Sequence, residues 1–418
     1  MPAPLVDAVA VVALLVMLAV AYVHPPAWLE LVVGVAAAGA VVAVGAVGVA
    51  GAWDQVQLLL PVVAFLAGIL VVAELCAVEG VFSAVGGLVA RAGRGEPRRL
   101  LTLTFAAAAL TTAVLSLDAT VVLLTPVVTA AATSTMVSPR PAGYACARLA
   151  NSASLLLPVS TLTNLHALPA LPSLSFLGFA ALMAPVWVAV IALEYVGHRL
   201  FFARDLGRRP QAALPREPVE LPVVPLVVVG LMLAGFAALS PLGVQPAWVA
   251  LAAALVLTTW SVSRRRASLV DAVRAAHLPF AVFVLCLGVV VGGLNDTFLG
   301  SLVARAVPGS AGLGSLLLVA LLATVLANVV NNLPATLLLV PLVAPLGQTA
   351  VLAALVGLGV GSGLTYTGSL ANLLWRRTLR RGGADASVRT FHALSVVVTP
   401  PAVTLGVVVL WAWSSWVQ

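Results

Sequence analysis

The chain has 418 residues, of which 62% are hydrophobic and 8% charged, with a mean hydropathy of +1.15. A soluble domain carries roughly 25% charged residues, so a water-soluble enzyme or binding module is excluded and a polytopic membrane protein is expected. All 21 basic residues are arginine and the net charge is +7, but the arginines sit in short breaks between apolar runs, where they set topology and do not form a nucleic-acid surface. Cys76, Cys146 and Cys286 show no metal-ligand spacing and read as packing residues, so neither a metal nor a cofactor is expected. None of the apolar runs resembles a cleaved signal peptide.

Taken in order, apolar runs of spanning length, roughly 20 residues, predict helices over residues 5–23, 28–51 and 57–78, followed by a basic loop at Arg91–Arg99. Residues 100–133 contain "LSLDATVVLLTPVV", Leu115 to Val128, in which Asp118 interrupts an apolar run. A re-entrant hairpin with its tip at Leu115–Asp118 keeps Arg140 on the same side as the other arginines; complete spans would scatter them. A helix over 144–170 is interrupted at "LPVSTLTN", and 173–198 returns the chain. After a basic linker come spans at 221–239, 246–262 and 277–294, then a second hairpin, 314–347, with Asn331–Asn332 at its tip. A helix over 350–379, interrupted at "GSGLTYTGS", and a last span, 390–416, complete the chain.

Three landmarks recur in one order at a spacing of about 214 to 220 residues, which is the signature of an internal duplication. "PAW" opens a helix at Pro26–Trp28 and at Pro246–Trp248; "LVAR" recurs at Leu88–Arg91 and Leu302–Arg305; Leu117–Asp118 corresponds to Asn331–Asn332. Two transmembrane repeats, 1–200 and 221–418, joined by a cytoplasmic linker at 201–220, are therefore expected. Where one half has an arginine-rich loop, the equivalent loop of the other is poor in arginine, as inverted-topology repeats require. The expected fold is all-α, with a periplasmic N-terminus and every arginine except Arg305 at the cytoplasmic side.

Non-helical backbone at membrane depth survives only where protein or a water-filled cavity surrounds it, so the two tips and two breaks belong around one midplane site. The expected substrate-binding residues are Asp118 and Thr120 at the first tip and Asn151, Ser152, Ser154, Ser160, Thr161 and Asn164 along the first break. In the second half they are Asn331 and Asn332 at the tip and Thr365, Thr367, Gly368, Ser369 and Asn372 at the break. An ionisable group at mid-bilayer costs roughly 2.5–3.5 kcal/mol on insertion scales, which makes Asp118 the candidate proton carrier. It is also a candidate helix N-cap, and the hydroxyl stripe is alternatively glue between helices. Glu74, Glu79, Glu194 and Asp296, with His24, His198, His277 and His392, read as interfacial; His166 alone follows a helix break.

These four segments resemble the arsenite/antimonite efflux permeases (ArsB type) of the ion-transporter superfamily. "LDATVVLLTPVV" is similar to that family's N-D-G-x-A-L-I-L-T-P, with Leu117 in place of its Asn. "ANSASLLLPVSTLTN" is similar to A-D-T-A-S-L-P-L-x-x-S-N-L-x-N, with Asn151 in place of the acid. "NNLPATLL" resembles N-N-M/L-P-T-V-L. "LTYTGSLANLLW" resembles L-T-P-I-G-S-L-A-T-L-L-W, although Gly359 and Gly363 stand where the family has Asp and Lys. The resemblance implies proton-coupled efflux of arsenite or antimonite across a bacterial plasma membrane. Sodium-coupled anion symport or sodium/proton antiport in the same superfamily is the alternative, and a non-transporting membrane enzyme or subunit is the reading from another class. No G-x-x-x-x-G-K-[ST] motif is present, so a gradient of H+ or Na+ drives transport; a separate ATPase subunit and a homodimer remain open.

Overall fold

The computed structural model describes residues 3–23, 26–207, 220–294, 297–310, 312–381, 383 and 386–417, and among these every regular element is a helix. Nine helices among the described residues are long and apolar enough to cross a membrane. His24, Asp296 and residues 208–219 of the expected linker lie outside the described residues.

The first three helices are Ala3–Val23, Ala27–Ala43 and Val49–Val78. The second stops well short of residue 51. Gly45 turns the chain with φ +80, a conformation that costs glycine little, and Val49 then begins a helix of 30 residues. Proline at the first helical turn, where its missing N–H loses no bond, opens Pro97–Val114, Pro139–Ser152 and Pro246–Ser263. Two short helices that the hydropathy pattern did not predict, Val81–Gly93 and Phe298–Ala306, contain the two LVAR words and lead into the hairpins.

The first hairpin rises through Pro97–Val114, turns at Leu115–Ser116 and returns through Leu117–Ala119, a π-helical turn Thr120–Leu124 and Thr125–Ser134. Pro126 has no N–H and its ring crowds the carbonyl four residues back, so the preceding turn widens. There the Thr125 N–H and hydroxyl both donate to the Thr120 carbonyl, the hydroxyl at 3.0 Å. Pro97 and Leu101 meet Val137, Pro141 and Leu206, so the hairpin returns to the face from which it entered. The second hairpin is Leu313–Val330 and Asn332–Val343, joined by Asn331 at φ 73.

Each hairpin is followed by a broken helix and a long last helix. Pro139–Ser152 breaks through two 3-10 turns and an extended Thr161 before Leu162–Ala167; Gln348–Gly359 breaks through Gly361–Leu364 and an extended Thr365 before Leu370–Arg381. Phe176–Phe201 and Val388–Val417 pack against each other. The halves are interlocked: Val49–Val78 packs on Pro246–Ser263, and Leu278–Gly292 packs on Ala27–Ala43. Gly68 lets the first of these pairs approach, since a Cβ there would stand 3.1 Å from the Ala250–Leu251 backbone.

One face gathers the arginine-rich segments. Arg140 donates to Thr390 and the Tyr144 hydroxyl to the Ser387 carbonyl, while Glu79 accepts from Ser261 at 2.8 Å and from Arg266 at 3.3 Å. Arg305 belongs to Phe298–Ala306, whose first residue meets Asp7 near the chain's start, on the opposite face. Two expectations are corrected here. Arg148 is no face arginine, being 1% exposed inside the helix bundle, and Glu194 and His198 are fully buried instead of interfacial, because Arg148 and Glu194 form an ion pair.

Candidate functional site

A cavity of about 460 Å³ lies between the two hairpin tips and the scaffold helices. Its inner wall is formed by Ser116–Ala119 of the first tip, Asn332–Leu333 of the second, Thr161–Thr163 at one break and Ser369–Ala371 at the other. Towards the arginine face it is lined by Ala27, Glu30, Glu74, Ala275 and His277, so the cavity reaches that side. His277, with φ 45, sits at the corner between Leu269–Ala275 and Leu278–Gly292.

Asp118 lies in the first turn of the returning arm, half-buried, at the cavity wall. The cap belongs to Ser116, whose hydroxyl accepts from the Ala119 N–H at 3.3 Å. Asp118 is therefore not the N-cap, and its carboxyl faces the cavity without a hydrogen-bonding partner among the described residues. Thr120, two residues on, points into the hairpin: its Oγ1 lies 2.7 Å from that of Thr112 and binds the two arms together.

The two breaks repeat one pattern of bonds. Asn164 Nδ2 donates to the carbonyls ten and seven residues before it, Ser154 at 2.8 Å and Leu157 at 3.0 Å. Asn372 Nδ2 does the same to Ser362 at 3.1 Å and Thr365 at 2.8 Å. Ser154 Oγ donates to the Asn151 carbonyl and Ser362 Oγ to the Gly359 carbonyl, both at 2.7 Å. Helix breaks leave carbonyls that hydrocarbon cannot solvate, and the side-chain amides take them up.

Asn151 joins the two breaks, donating to Asn372 Oδ1 at 2.7 Å and accepting from Ser362 Oγ at 3.3 Å. At the second tip the Asn332 N–H donates to the Gly368 carbonyl at 3.0 Å and Asn331 Nδ2 to the Thr367 carbonyl at 3.1 Å. Gly368 must be glycine, because a Cβ would overlap the Ser362 carbonyl. Thr367 Oγ1 donates to the Asn328 carbonyl at 3.3 Å. Ser160 Oγ donates to the Ala113 carbonyl at 2.8 Å, fixing the first break to the first hairpin.

Of the expected site residues, Asp118, Thr161, Asn332 and Ser369 line the cavity. Thr120, Asn151, Ser154, Ser160, Asn164, Asn331, Thr365, Thr367, Gly368 and Asn372 brace the tips and breaks behind it, and Ser152 turns away to Glu194 Oε1 at 2.8 Å. His166 does not line the cavity, and neither ring nitrogen has a partner. Sequence reasoning missed Asn328, which accepts from the Thr365 N–H and hydroxyl at 2.9 and 2.7 Å and donates to the Gly361 carbonyl at 2.9 Å. A polar residue one turn before the tip was its only signal.

The chain matches the family model CitMHS, citrate transporter, over residues 5–356. It is similar to the arsenical pump membrane protein of Escherichia coli (strain K12), 28% identical over 377 residues, covering 83% of this chain and 85% of that protein. The arsenical pump membrane protein of Yersinia enterocolitica is 27% identical over 368 residues, covering 82% and 84%. Among solved structures the Alcanivorax borkumensis YdaH transporter, described as having an unusual topology, shares the fold at TM-score 0.60 and 18% identity, with 87% of each chain covered. With apolar spanning helices, two hairpin tips around one cavity and a family match over most of its length, the chain belongs to the citrate transporter (CitMHS) family and is a multi-pass secondary transporter of the ion-transporter superfamily.

Proposed function

We propose that the protein exports a small neutral trihydroxide, arsenous or antimonous acid, in exchange for protons carried by Asp118. The lining of the cavity supports this most directly: hydroxyls of Thr161, Thr163, Ser116 and Ser369, the amide of Asn332 and the carboxyl of Asp118, with neither arginine nor lysine among its described residues. A citrate trianion needs cationic partners to offset its desolvation, and the acids Glu30, Glu74 and Asp118 repel it. Hydroxyls and amides exchange hydrogen bonds with an uncharged trihydroxide at no cost in buried charge. None of the three cysteines lines the cavity, so trivalent arsenic meets no thiol that would hold it. The names of the arsenical pump relatives agree with this choice.

Protons are preferred to sodium as the coupling ion because the carbonyls freed at the breaks, which a cation would use, are already satisfied by Asn164, Asn372 and Asn328. We further propose that the halves 1–200 and 221–418 are inverted repeats about the 201–220 linker, with the arginine face in the cytoplasm by the positive-inside bias. The cavity then opens inward, ready to load. The protein acts as a carrier and not an enzyme; a homodimer and a separate ATPase subunit are compatible with it.

Arsenite accumulation in cells, and uptake by everted vesicles under an imposed pH gradient, test this. Expression should lower cellular arsenite and spare the cells. Citrate-stimulated flux without arsenite flux would overturn the proposal.

A further inference from the structure

Arg148 and Glu194 lie behind the cavity, 1% and 0% exposed, and neither lines it. Arg148 Nε donates to Glu194 Oε2 at 3.1 Å, and Nη2 donates to Oε1. Nη1 donates to the Gly363 carbonyl at 2.8 Å and to Ser395 Oγ at 3.2 Å. Glu194 also accepts from Ser152 Oγ, and its backbone carbonyl lies 3.0 Å from His198 Nδ1. A buried ion pair is seldom more stable than well-packed apolar residues of the same volume, and at membrane depth charge is retained mainly for function.

The Gly363 carbonyl is where this cluster reaches the transport machinery. It is one of the carbonyls freed by the second break, whose other freed groups are held by the neutral amides of Asn372 and Asn328. Charge-assisted hydrogen bonds are roughly twice as strong as neutral ones, so Arg148 is the stiffest tie on this loop. From Gly363 the loop runs through Thr365 to Gly368, which accepts from the Asn332 N–H, and to Ser369 at the cavity wall. A Cβ on residue 363 would stand 2.8 Å from Nη1, so with the guanidinium held in place a side chain there must push it aside.

We propose that Arg148, anchored by Glu194, is a positioning residue of the transport site: its guanidinium holds the Gly363 carbonyl and thereby sets the 363–369 loop that presents Ser369 and meets Asn332. Only the flux arm of its test rests on the arsenite reading. The double variant Arg148→Met/Glu194→Leu replaces the pair by apolar side chains of similar size, which offsets the partners lost by the Gly363 carbonyl, Ser395 and Ser152, so it should fold and melt no lower than Asn372→Ala. Hydrogen exchange in peptides across 363–372 should quicken about tenfold or more, as loss of a charged hydrogen bond predicts. In everted vesicles the half-saturating arsenite concentration should rise about tenfold while maximal flux stays within about a factor of two.

Wild-type exchange and wild-type half-saturation in a folded double variant would overturn the proposal. Should that variant not fold, Gly363→Ala keeps the ion pair and displaces only the contact with the carbonyl. It should loosen the same peptides, and unchanged exchange there would equally overturn it. A wild-type protein that moves no arsenite removes the export reading alone, and the exchange data then decide the role of Arg148.

Discussion

Ser116 closes the first tip, which leaves the carboxyl of Asp118 free to face the cavity. Asp118→Asn should therefore shift stability by less than about 0.5 kcal/mol yet abolish uptake driven by a pH gradient, with arsenite exchange retained. Flux in proteoliposomes with and without the gradient checks this; uphill transport at the wild-type rate would place the proton elsewhere. Ser116→Ala removes the cap and should cost about 1 kcal/mol, read as a lowered melting temperature. The Asn372 side chain has a larger structural share, because it serves two carbonyls and accepts from Asn151. Asn372→Ala removes the side-chain donor of the Ser362 carbonyl and leaves the Thr365 carbonyl only the Gly368 N–H, and Asn151 Nδ2 only the Ala147 carbonyl, both at 3.4 Å, at about 1–3 kcal/mol in all. Its melt should fall further than that of Ser116→Ala.

At the scale of helices, close approach depends on where glycine stands. Leu313–Val330 packs on Gln348–Gly359, where a Cβ on Gly357 would overlap the Ala320 carbonyl and stand 2.7 Å from Ala323 Cβ. The carbonyl is backbone and cannot swing aside, so Gly357→Ala should destabilise by about 1–3 kcal/mol. Gly39, in Ala27–Ala43, faces open space, with nothing within 4 Å of where a Cβ would stand; Gly39→Ala should be neutral or stabilising by up to about 1 kcal/mol. Thermal melts of the two variants in detergent should thus differ, with Gly357→Ala falling and Gly39→Ala holding or rising. The second hairpin is held to its broken helix by this contact, and its tip presents Asn332 to the cavity, so packing here also sets the site.

For the whole molecule, the arginine face and its opposite are distinguishable by labelling. Met136, beside the exit of the first hairpin, and Leu242, in the turn after Val223–Leu239, are each 74% exposed. In a cysteine-free background, Met136→Cys should react with an impermeant maleimide only from the cytoplasm and Leu242→Cys only from outside. Reaction of both from one side would contradict the proposed orientation and the re-entrant path of the first hairpin. The interlocking of Val49–Val78 with Pro246–Ser263 implies that neither half folds alone around its own core, since each buries its scaffold helices against the other.

Spans, tips and breaks were legible in the sequence because hydrocarbon penalises each polar interruption locally: Asp118, the Asn331–Asn332 pair and the glycine-rich 361–368 stretch declare themselves without knowledge of any neighbour. The π turn before Pro126 was not expected from the sequence, although its cause is one residue's missing N–H. What only the tertiary structure decided is where each polar group turns. Thr161 and Ser369 reach the cavity, whereas Ser154, Asn164 and Asn372 satisfy carbonyls three, seven and ten residues away, and nothing in a serine or asparagine side chain by itself distinguishes these uses. Arg148 reads as a face arginine and Glu194 as an interfacial acid because their pairing spans 46 residues and depends on two helices packing side by side. A hydrophobic pattern reports the solvent each residue wants; a hydrogen bond between distant residues exists only after packing has brought donor and acceptor within about 3 Å.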